Sequence, residues 1–139
     1  MALDIGQKRV GVAISDARET VASAICVLNT QDVLYVNKKF KCVLEDWEPD
    51  VFLFGKPKTL SGEVGPQAKK VMEVSQAISA KTGVPCEFFD ERLSSKEAKN
   101  FMRECGMTEK EMRGKIDMVA AQIFLQAFLD RKRMENASI

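Results

Sequence analysis

The run Val51-Phe52-Leu53-Phe54 is four consecutive large apolar residues between Pro49-Asp50 and Gly55. It has the length of a β-strand and no polar face, which is the pattern of a strand buried on both sides of a sheet. The rest of the chain must therefore supply cover for two faces.

The flanking patterns do so. Met1 to Ile5 is a short apolar run broken by Gly6, and Val10, Val12 and Ile14 alternate with Gly11, Ala13 and Ser15, so two strands joined by a turn near Gly6-Gln7-Lys8 are expected. Ile25 and Val27 mark a third strand over Ala22 to Leu28. Apolar spacing predicts one helix from Asp32 to Trp47, stopped before Pro49, and a second from Gln67 to Lys81, stopped by Gly83 and Pro85. Cys86 to Phe89 is the fifth strand. Ser94 with Glu97 opens a third helix that Gly106 ends, and Thr108 with Glu111 forms another capping box. The last helix, Lys115 to Arg131, is apolar around most of its circumference and is expected to be buried.

This order is a three-stranded antiparallel meander followed by strand–helix units, and right-handed crossovers put strands one, four and five side by side and parallel. The fold class is α/β: a mixed five-stranded sheet flanked by helices, of the ribonuclease H-like kind, in a single domain over residues 1–139. A chain of this length buries enough surface to fold without disulfides. Its four cysteines form no CxxC pair, and most of them read as small core residues of a reducing compartment. No apolar run is long enough to cross a membrane and no leader precedes the first strand, so a cytoplasmic location is expected.

Histidine is absent, which removes the commonest general base and the commonest metal ligand together. The net charge of +1 gives no bulk attraction to nucleic acid, so a nucleic-acid binder of this composition must segregate its charges. Three acidic segments offer the alternative chemistry. Asp4 lies inside an apolar strand, where a carboxylate needs a cation or donors, although an Asp-x-Gly can also simply cap its own turn. Asp90 and Glu91 follow the fifth strand, or form with Arg92 a solvated strand end. Asp117 begins the last helix, where an acid also suits the helix dipole, and Ala120, Ala121 and Phe124 follow on its face.

With strand four between strands one and five, Asp4 and Asp90 stand about 10 Å apart at the backbone, and Gly55 leaves the gap open. Oxygen ligands without histidine suit Mg²⁺ or Mn²⁺, and an ion pair held there would allow phosphodiester hydrolysis without a protein base. Lys8, Arg9, Lys56, Lys58 and Arg92 supply a basic rim for a phosphate backbone. The glycine-rich loop from Gly55 to Gly65 leads into a helix N-terminus, as an anion site or as an ordinary connection.

The segments Leu3-Asp4-Ile5-Gly6-Gln7-Lys8-Arg9-Val10-Gly11-Val12, Asp90-Glu91-Arg92-Leu93-Ser94-Ser95 and Ile116-Asp117-Met118-Val119-Ala120-Ala121-Gln122 resemble, in order, the three motifs of the YqgF family, also called RuvX, in the ribonuclease H-like superfamily. The resemblance implies a nuclease that processes the small-subunit ribosomal RNA precursor, or alternatively a Holliday junction resolvase. By motif position it puts Asp4, Asp90, Glu91 and Asp117 at the active site. Strand alternation lets only one of Asp90 and Glu91 point inward, and Asp4, Asp117 and one of that pair, taken as Glu91 with Asp90 the alternative, are the metal ligands. Lys56 departs from the family's usual Gly-Leu-Pro loop. A junction resolvase would need two active sites and hence a homodimer; RNA trimming would not. Two other readings compete. Asp4-Ile5-Gly6 also resembles the first phosphate motif of sugar kinases and actin-like ATPases, which need a second lobe this chain lacks. A binding protein for nucleic acid, acting in ribosome assembly or transcription, could keep the fold without catalysis.

Overall fold

The computed structural model describes residues 1–6, 8–55, 66–89 and 95–137. The strands are β1 (Ala2–Ile5), β2 (Arg9–Ser15), β3 (Ala22–Asn29), β4 (Phe52–Gly55) and β5 (Cys86–Phe89); the helices are α1 (Thr30–Leu34), α2 (Lys38–Trp47), α3 (Pro66–Thr82), α4 (Ser95–Glu104), α5 (Glu109–Met112) and α6 (Ile116–Ala137). They build one mixed sheet of order β3-β2-β1-β4-β5. β1, β2 and β3 pair antiparallel, whereas β1, β4 and β5 run parallel. The expected meander, and the placement of the fourth strand between the first and fifth, are both observed.

Strand alternation divides the interior into two layers. On one face Leu3, Ile5, Val10, Val12, Phe52 and Phe54 meet Val33 and Phe40 from the first two helices and Val71, Val74 and Ile78 from α3. On the other, Ala2, Ala13, Leu53 and Phe89 meet Ala121, Phe124, Leu125 and Leu129 of α6. All four residues of β4 are buried, as its unbroken apolar run requires. Each phenylalanine of β4 contributes about 1.5–3 kcal/mol by leaving water. A third cluster, Met102, Met112 and Val119, fastens α4 and α5 to the start of α6. Thr108 caps α5 by accepting the Glu111 N–H at 3.2 Å. The Ser94 capping box lies outside the described residues.

The structure corrects three expectations. The helix expected over Asp32 to Trp47 is two helices, α1 and α2, broken at Val36, whose φ is +50°. The Val36 N–H donates to the Val33 carbonyl (3.1 Å) and the Asn37 N–H to that of Asp32 (2.8 Å), a left-handed C-terminal motif that glycine usually occupies. The Asn37 amide adds a bond to the Asp32 carboxylate at 3.1 Å. Apolar spacing concealed the break because Val33, Val36 and Phe40 all reach the same core. The last helix extends to Ala137, and its final turns are exposed. They carry ion pairs of Arg133 with Asp130 (2.8 Å) and Arg131 with Glu135 (3.7 Å) instead of apolar contacts. Only two of the cysteines reach the core: Cys26 and Cys86 are half-buried and pack against the α1–α3 layer, whereas Cys42 and Cys105 are exposed, and all four are free thiols.

Candidate active site

β1 is too short to hide its acid by length, and alternation decides where Asp4 goes. Leu3 and Ile5 point into the α1–α3 layer, so Ala2 and Asp4 face α6. Asp4 is 5% exposed, one residue from the carboxyl end of its strand. A carboxylate at that depth stays charged only where cations or polar donors compensate for lost water.

The hairpin behind it is closed tightly. The Gly6 N–H donates to the Arg9 carbonyl at 2.8 Å, and a Cβ on Gly6 would come within 2.9 Å of that same oxygen. Thr30, itself buried, braces the turn: its hydroxyl donates to the Gly6 carbonyl (3.0 Å) and its N–H to the Lys8 carbonyl (3.0 Å). Lys8 and Arg9 are thereby held at the surface, in the turn that follows Asp4. Nothing in the sequence singled out Thr30, because both of its partners belong to another strand pair.

Asp117 reaches the same level of the sheet from the opposite side of the chain. Gly11 is the register partner of Asp4 on β2, and a Cβ built on Gly11 would overlap the backbone carbonyl of Asp117. The first turn of α6 therefore lies directly on the Gly11 backbone, one strand spacing, about 4.8 Å, from β1. From there α6 runs antiparallel to β1. Its far half is fixed by Gln126, which accepts the Ala22 N–H at 2.8 Å and donates to the Thr20 carbonyl at 2.9 Å. Ala22 pairs with Ser15 at the other end of β2. The half-buried Asp117 and the buried Asp4 thus share one end of one face of the sheet.

β4 and β5 end at the same place. Leu3 pairs with Phe54, and continuing that register by one residue sets Gly55 beside Asp4, with Gly55 paired in turn to Phe89. Asp4 is flanked by glycine on both neighbouring strands, so among the described residues neither adjacent strand position sets a side chain beside its carboxylate. The oxygen donors of Asp4 and Asp117 suit a hard divalent cation rather than a soft metal. Asp90, Glu91 and Arg92, which follow β5, and Lys56 and Lys58, which follow β4, lie outside the described residues. Among the described residues no three acidic or thiol groups gather closely enough to hold a metal ion. Asp4 and Asp117 are the two expected acids that the described structure brings together.

The sequence of the chain matches the family model RuvX, described as Holliday junction resolvase, over residues 1–131. Among curated relatives, a protein of Chloroflexus aurantiacus named "Putative pre-16S rRNA nuclease" is 35% identical over 96% of this chain and 87% of its own length. Proteins of the same name from Roseiflexus (34% identical; 96% and 94% covered) and Clostridioides difficile (33%; 95% and 94%) are similarly related.

Proposed function

Since the chain belongs to the RuvX family, we propose that it is a nuclease that hydrolyses phosphodiester bonds in structured nucleic acid, with the ribosomal RNA precursor as its substrate. The observation that carries this reading is the convergence of Asp4 and Asp117 on one end of the sheet, across Gly11. Open α/β sheets bind ligands beyond the carboxyl ends of their parallel strands, which is where these acids stand.

Asp4, Glu91 and Asp117 are the residues that would hold Mg²⁺ or Mn²⁺. Such ions, as a pair, would supply Lewis acidity and activate the attacking water, which a chain without histidine cannot do with the commonest general base. Asp4 contributes a negative charge fixed by a short strand with little freedom to move away. Asp117 contributes a second from a helix that Gln126 pins at its middle. The N-terminus of α6 presents its unpaired N–H groups toward the same end, favouring an anionic phosphate. Lys8 and Arg9, exposed beside Asp4, are placed to neutralise the backbone flanking the cleaved bond. None of these contacts reads base identity, so the substrate is selected by shape.

A second reading, a resolvase acting on four-way DNA junctions, draws on the family's description and would require a homodimer. One experiment separates the two: the purified chain is incubated with a precursor rRNA fragment and with a four-way DNA junction, each with Mg²⁺ or with chelator. Mg²⁺-dependent cleavage of the RNA and an intact junction support the first reading. The reverse result supports the second. An intact RNA and junction under every condition would overturn both.

A further inference from the structure

At the opposite end of the sheet, where β1, β4 and β5 begin, a cleft of about 440 Å³ opens between the β2–β3 connection, the α2–β4 connection and the last turns of α6. Its floor is apolar, with Leu53, Leu125 and Leu129 buried and Phe128 half-buried. Trp47 stands at its side, 49% exposed, where a large aromatic surface meets water. The rim is acidic. Glu48, Asp50 and Glu87 contribute carboxylates, while Asp16 accepts hydrogen bonds from Thr20 and Val21 and Glu19 is engaged by Lys132 at 3.0 Å. Among the described residues Lys132 is the lone lysine or arginine of the lining, and the Met1 amine, which donates to the Val51 carbonyl at 2.9 Å, offsets only part of the charge of Asp50.

This charge pattern selects its occupant. A phosphate-bearing ligand would be repelled. A single metal ion is a poor match, because among the described residues no three acids converge on one point; the rim carboxylates are spaced apart. Separated cations joined by apolar groups match both rim and floor, and a guanidinium gains further from the face of Trp47. We propose that this cleft binds a basic, partly apolar peptide segment of a partner protein. Asp117 and Lys132 are roughly 22 Å apart along α6 at the helical rise of about 1.5 Å per residue, so both ends of the molecule can be occupied together.

Trp47 is the only tryptophan of the chain and reports on the cleft directly. The full chain is titrated with an acetylated, amidated pentapeptide of alternating arginine and leucine while the tryptophan emission is followed. A saturable change with a Kd of about 10–100 μM is expected. A peptide of alternating arginine and serine, and spermidine, should each bind about tenfold more weakly, since they lack the apolar groups. The double variant Asp50→Lys/Glu87→Lys, changed at two exposed positions, should lose about tenfold in affinity and keep native circular dichroism and any nuclease activity. An unsaturable signal, equal binding of spermidine or the serine peptide, or unchanged affinity in the double variant would each overturn the proposal. Should that variant not fold, calorimetric titration of Trp47→Phe with the same peptides decides the matter. The outcomes that overturn the proposal are all binding measurements and involve no cleavage, so they would leave the nuclease reading standing.

Discussion

The backbone of Asp117 rests on Gly11, so closely that a single added methyl would overlap its carbonyl. Because Gly11 faces Asp4 across the β1–β2 pair, one contact sets both how α6 packs and how far apart the two acids stand. The obstacle to any side chain at position 11 is backbone, which cannot swing aside as a rotamer can. Gly11→Ala should therefore lift the first turn of α6, destabilise the fold by about 1–3 kcal/mol as overpacking does, and displace Asp117. Denaturant midpoints measure the first effect. Cleavage at a temperature where the variant is still folded measures the second, with a loss of about 10²-fold expected for a misplaced ligand group. Native stability and native rate in Gly11→Ala would show that the close approach is dispensable.

The two acids should separate stability from activity. Asp4 is a buried carboxylate and asparagine has nearly its shape, so Asp4→Asn is expected to keep the fold. The native chain should gain Tm as Mg²⁺ is added, because an ion that binds only the folded state stabilises it by mass action. Asp4→Asn and Asp117→Asn should both lose that rise together with cleavage. Thermal melts with and without Mg²⁺ test this without a substrate, and an undiminished Mg²⁺ response in both variants would remove these residues from the metal site.

The sheet was legible because its signals are local. Val51 to Phe54 announced a central strand, and Gly83 with Pro85 announced where the next began, so β5 was bounded correctly at Cys86–Phe89. The Asp4 and Asp117 pairing was legible through topology and through the resemblance of their flanking segments to a known family. What made the pairing possible, Gly11 under α6, was not legible, since it joins elements at opposite ends of the chain and reads locally as one small residue in an alternating strand. Thr30 was hidden for the same reason. The break at Val36 escaped for a different one: left-handed turns are anticipated at glycine or asparagine, and a valine there contradicts local preference.

That valine gives the third prediction. A β-branched residue at a φ of +50° costs about 1–2 kcal/mol, yet its side chain is 8% exposed and belongs to the core. Val36→Gly removes the strain and forfeits roughly 2 kcal/mol of burial, so the terms nearly cancel and a net loss of about 1 kcal/mol or less is expected. Val33, in the same cluster but in helical conformation, has no strain to release. Val33→Ala should cost about 2 kcal/mol. Chemical denaturation of the two variants side by side compares them, and a Val36→Gly cost equal to or above that of Val33→Ala would argue against strain at this turn.

Asp16 gives the fourth. Its carboxylate organises the β2–β3 connection: Oδ2 accepts the Thr20 hydroxyl at 2.7 Å, and Oδ1 accepts the N–H groups of Thr20 (2.7 Å) and Val21 (3.1 Å). These bonds, the Thr20 hydroxyl foremost, lower its pKa from 3.8 to about 2. A carboxylate depressed by folding stabilises the native state fully above its unfolded value and loses that contribution as it is protonated in the folded state. Stability from this loop should therefore be constant above about pH 4 and decline as pH falls from 3.8 toward 2. Thr20→Val deletes the largest cause, so the Asp16 pKa should rise back toward the ordinary carboxylate value, and less stability should be lost over that interval. A carboxyl NMR titration of Asp16 in both proteins gives the pKa directly. An unchanged value in Thr20→Val would assign the depression to the backbone N–H groups alone.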